Sequence, residues 1–69
     1  MKTNFLYNMS DQMTAPVTII GNCVSIISEH ADKLSEEETN SMVDEIQMQG
    51  GKITALLNQL ISESEKINN

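Results

Sequence analysis

A chain of 69 residues with one cysteine, Cys23, and one histidine, His30, can form neither an internal disulfide nor a structural zinc site. Ten carboxylates against four lysines give a net charge of −6. That leaves no electrostatic footprint for nucleic acid and disfavours anionic membrane surfaces. So short a chain buries only roughly 60% of its unfolded surface, and a second subunit is the expected support.

In chain order, Met1–Asn8 lacks the apolar core of a signal peptide. Asn8-Met9-Ser10 matches a glycosylation sequon and is read as coincidental. The longest apolar run, Val17-Thr18-Ile19-Ile20, stops at Gly21, far short of the ~20 residues of a membrane span, so no membrane insertion by this segment is expected. The lone reduced-type cysteine fits a cytoplasmic protein.

The hydrophobic period is helical. Alternating steps of three and four from Leu6 give Leu6, Met9, Met13, Pro16, Ile20, Cys23, Ile27, His30 and Leu34, with Val17, Val24 and Ala31 widening the stripe. The same steps from Val43 give Val43, Ile46, Gly50, Ile53, Leu57, Leu60, Ser64 and Ile67, flanked by Met42, Leu56 and Ile61. Between them, Ser35 with Glu38 three residues on is a capping box, and Glu36-Glu37-Glu38 suits the positive end of a helix dipole. This predicts an all-α fold: helix 1 over about 2–32, a turn at 33–35 and helix 2 over about 36–67, the short turn forcing an antiparallel hairpin.

Two helices cannot cover both apolar faces, whereas two hairpins make a four-helix bundle. The expected partner is therefore a second copy, with a core and dimer set of Leu6, Met9, Met13, Ile20, Ile27, Val43, Ile46, Ile53, Leu57 and Leu60. Pro16 removes a backbone hydrogen bond and predicts a kink near residues 12 to 16. Gly50-Gly51 costs about 1 kcal/mol per glycine relative to alanine. The heptad phase passes through the pair without a slip, which favours one continuous helix over a break.

The run Lys2-Thr3-Asn4-Phe5-Leu6-Tyr7-Asn8-Met9-Ser10-Asp11-Gln12-Met13-Thr14-Ala15-Pro16-Val17 resembles the phosphoacceptor box of sensor histidine kinases, approximately F-L-x-N-M-S-H-E-L-R-T-P-L. Asp44-Glu45-Ile46 and Leu56-Leu57-Asn58-Gln59-Leu60-Ile61 are similar to that family's closing stretch. The resemblance implies a dimerisation and histidine phosphotransfer domain, a homodimeric four-helix bundle. It also exposes departures. Asp11 stands where the family has its phosphorylated histidine, Gln12 where it has the assisting acid, and Thr14 and Ala15 replace an arginine and a threonine linked to phosphatase activity.

Those departures remove the chemistry. A neutral imidazole nitrogen attacks phosphorus while a neighbour takes its proton. An aspartate oxygen is already anionic and repels the incoming phosphate, and Gln12 cannot act as a base. Phosphoryl transfer to a carboxylate normally needs a metal to neutralise that charge, and no acidic cluster lies nearby in sequence. No catalytic residue, metal site or cofactor is therefore expected. Asp11 falls on the outward side of its helix and reads as a solvated charge, or more sharply as a fixed mimic of the phosphorylated state. On the inward stripe, His30 reads as a partly buried, hydrogen-bonded residue and Cys23 as a small core residue.

The function expected is a catalytically inert dimerisation domain, part of a larger cytoplasmic signalling protein, that relays packing changes from a sensor to an output domain. One alternative is a docking scaffold for a response-regulator receiver domain or another regulator. Another is a phosphotransfer domain with a non-standard acceptor.

Overall fold

The computed structural model describes residues 2–68, with side chains described from 4 to 65. Helix α1 spans Lys2–His30 and helix α2 spans Glu36–Asn68, packed against each other as a two-helix hairpin. The fold is all-α, with no strand among the described residues. At 1.5 Å per residue, the 33 residues of α2 reach about 50 Å, matching the 52 Å long axis of the molecule. The stripe member Ile67 and Met1 lie outside the described side chains.

The turn is fixed by its own hydrogen bonds. The His30 carbonyl accepts from the N–H of both Lys33 (2.9 Å) and Leu34 (3.1 Å). That tightening ends α1 at His30, two residues before the expected end at 32. Glu38 N–H donates to Ser35 Oγ at 3.0 Å while Ser35 N–H donates to Glu38 Oε1 at 2.9 Å, which is the reciprocal capping box. Thr39 N–H donates to the Ser35 carbonyl at 3.0 Å and closes the first ring of α2.

α2 is continuous through Gly50-Gly51, as the unbroken heptad phase implied, with neither glycine at positive φ, and α1 is likewise one helix through Pro16. Proline leaves the Gln12 carbonyl without its usual donor four residues on. Pro16 is itself buried, so packing against α2 offsets that lost bond.

The seam between the helices holds Phe5, Met9, Met13, Pro16, Ile20, Cys23 and Ile27 of α1 against Met42, Ile46, Gln49, Ile53, Leu56 and Leu60 of α2. Met9 is 5% exposed and Gln49 3%. The inward side differs from the heptad expectation in two places. His30 is exposed at the mouth of the turn, because α1 ends there and the chain swings away before a partner reaches it. The centre line of α2 is Met42, Gln49, Leu56 and Glu63, one residue before the line Val43, Gly50, Leu57 and Ser64 that periodicity suggests. The apolar arc is wider than one helix can cover, so the hairpin takes one half of it and leaves Val43, Leu57 and Ile61 exposed.

Candidate functional site

Asp11, Gln12, Thr14 and Ala15 lie in the third and fourth turns of α1, among the seam residues Met9, Met13 and Pro16. Asp11 is exposed, two residues from the buried Met9 and two from the half-buried Met13, which puts its carboxylate on the outer side of the helix. Gln12 and Ala15 are three and six residues on from Met9, so they turn to one edge of the seam. There they meet α2.

That edge is a groove of about 460 Å³ in which Gln12, Ala15, Pro16 and Ile19 face Gln49, Lys52, Ala55 and Leu56. Its walls are largely apolar, with the Lys52 ammonium and two carboxamides as polar features. Towards the turn, a second groove of about 380 Å³ is lined by Cys23, Ser41, Met42, Glu37, Glu38 and Glu45. Both open on the same side of the hairpin. Among the described residues, no three of His, Cys, Asp and Glu are grouped to hold a metal ion.

The polar residue that sequence reasoning missed is Gln49. It is the most buried polar side chain described, and its Nε2 donates to Glu45 Oε2 at 2.7 Å. A charged acceptor makes this a strong local bond, and it satisfies an amide that would otherwise be costly to bury. The seven-residue spacing of Met42, Gln49, Leu56 and Glu63 was the available signal, masked by the stronger apolar line beside it.

Glu38 is the one group described whose titration is clearly displaced. Hydrogen bonds from the Ser35 backbone N–H and then its hydroxyl hold the carboxyl below the ordinary glutamate range, only slightly opposed by desolvation. This is a structural effect of the cap, remote from Asp11.

Of the expected core and dimer set, Met9, Met13, Ile20, Ile27, Ile46, Ile53 and Leu60 lie in the seam, while Leu6, Val43 and Leu57 are exposed. Asp11, Gln12 and Ala15 do not converge on one point: Asp11 faces outward while the other two line the groove.

The chain matches no family model, no curated protein and no solved structure. Among the described residues, no helix is long and apolar enough to cross a membrane.

Proposed function

We propose that this chain is a catalytically inert dimerisation module of the histidine-kinase type, which holds two protomers in register and relays changes in helix packing between a sensor and an output domain in the cytoplasm. The observation that carries the reading is the pairing of a long helical hairpin with an exposed carboxylate, Asp11, at the position of the phosphoacceptor. An exposed aspartate beside Gln12 has neither a nucleophilic nitrogen nor a base to activate one. The exposed apolar residues Leu6, Val17, Val24 and Leu57 supply the reason to dimerise. Pro16 and Gly50-Gly51 are the soft points at which two packings can interconvert.

The test is incubation with labelled ATP and an active histidine-kinase catalytic domain. The expected result is no stable label on the chain. Acid-labile, alkali-stable label that disappears in His30→Gln, or label that disappears in Asp11→Asn, contradicts the reading.

A second reading has one observation in its favour. Gln12 and Ala15 line an open apolar groove one turn from Asp11, a surface that a receiver domain or other regulator could grip without chemistry. Ala15→Arg, inside the groove, tests it beside Asp11→Arg on the outer side: binding of a captured regulator should weaken, and binding unchanged in both removes the assignment.

A further inference from the structure

The two sides of the hairpin are chemically unlike. From a seam residue, three or six residues on turns one way around the helix, and four or eight on turns the other way. The larger groove shows which way is which in both helices. Gln12 and Ala15 lie three and six after Met9, and Lys52 and Ala55 lie three and six after Gln49, and all four line that one groove. The opposite side of the hairpin therefore collects Val17 and Val24, eight after Met9 and Pro16, and Leu57, eight after Gln49. Leu6, Val43 and Ile61 share that side by the same count. These six are exposed, from 40% for Val43 to 57% for Ile61.

Charge keeps off this side. Asp11, Glu29, Asp44, Glu45 and Lys52 all fall on the grooved or outward sides, and from Leu6 to Ser28 and from Thr39 to Ser64 the opposite side holds apolar residues, glycine, serine and threonine. At its rim, the hydroxyls of Thr14 and Thr54 donate to carbonyls of their own helices, Ser10 at 3.0 Å and Gly50 at 3.1 Å. They therefore need no water, and covering them costs little. Gly21 and Gly50 also lie here, and a Cβ at either would meet nothing within 4 Å, so nothing in the hairpin itself requires glycine.

We propose that the ungrooved, uncharged side carrying Val17, Val24, Val43 and Leu57 is covered by a second copy of this chain, packed face to face, with Gly21 and Gly50 as flat places that let the backbones approach. The inference rests on the dimer reading above and adds which surface pairs. The extent fits: the uncharged side runs along most of the 52 Å hairpin, from Leu6 to Ser28 on α1 and from Thr39 to Ser64 on α2. The charge fits too, because two copies of a chain at net −6 repel each other least across a face free of carboxylates. Two such hairpins leave both grooves open to solvent on the outside of the bundle.

Sedimentation of Val24→Lys and Leu57→Lys against Ile26→Lys and Met48→Lys tests this, with helicity followed by circular dichroism. Ile26 and Met48 are also exposed, on the grooved side. The first pair should weaken dimerisation by at least tenfold and the second pair should leave it within about twofold. An isotope-filtered nuclear Overhauser experiment on mixed labelled and unlabelled wild-type chain gives the same answer without substitution. Contacts between copies should appear at the methyls of Val17, Val24 and Leu57. Contacts at Ile19, Ile26 and Met48 instead, or dimerisation lost only in the grooved-side variants, overturn the face assignment and leave the dimer reading standing. A wild-type chain that stays monomeric overturns both.

Discussion

The turn and the middle of the hairpin obey different rules. At the turn, the hydrogen bonds are local: Ser35, Glu38, Thr39 and the His30 carbonyl are joined between residues three or four apart. In the middle, Pro16 and Gly50-Gly51 contradict local helix preference, yet both helices continue through them. What holds the middle is burial across the seam at Met9, Pro16 and Gln49. Propensity thus places the ends of these helices, and packing overrides it between them.

The sharpest way to break that comparison is to empty the middle. Met9→Ala removes a side chain that is 5% exposed and should destabilise the chain by about 2–4 kcal/mol, read from urea unfolding at fixed protomer concentration. A loss under about 0.5 kcal/mol would mean that the seam does not carry the middle. Ser35→Ala removes the cap and should cost about 1 kcal/mol in the same measurement.

The cap also has a pH signature. The carboxyl of Glu38 titrates lower folded than unfolded, so its contribution is present above the ordinary glutamate value of about 4.3 and is lost as pH falls through the lower folded value. The stability gap between wild type and Glu38→Gln, which replaces the titrating carboxyl, should therefore shrink between pH 6 and pH 3, in thermal melts. A gap that widens as pH falls contradicts the cap bonding.

Gly51→Ala gives a gain of similar size to the Ser35 loss. Gly51 is exposed and open to a Cβ, so alanine should stabilise α2 by about 0.8 kcal/mol. The smallest effect expected is that of Glu45→Gln, which keeps an acceptor for Gln49 Nε2 but removes its charge and should cost a few tenths of a kcal/mol to about 1 kcal/mol.

The turn was legible in the sequence because a capping box is a pattern of neighbours, readable without knowing what it packs against. The hairpin followed from it, since a short link leaves two helices no other course. The rotation of α2 was not legible. Val43, Leu57 and Ile61 are as apolar as Ile46, Ile53 and Leu60, and composition cannot say which half of a wide arc faces α1 and which faces away. His30 was misread for a related reason: its place in the heptad is correct, but the helix that would carry it inward ends at that residue. Around Asp11, the heptad spacing already put that carboxylate outward, while the groove beside it needs Ala55, Lys52 and Leu56 from the other helix, which no local pattern joins to Gln12.

The central claim is that one hairpin cannot cover its own apolar surface. Sedimentation equilibrium of the wild-type chain across micromolar concentrations tests it most directly. A mass of twice 7.7 kDa, falling towards one copy only on dilution, is the predicted result. A single species of 7.7 kDa at every concentration, with full helicity, would contradict it.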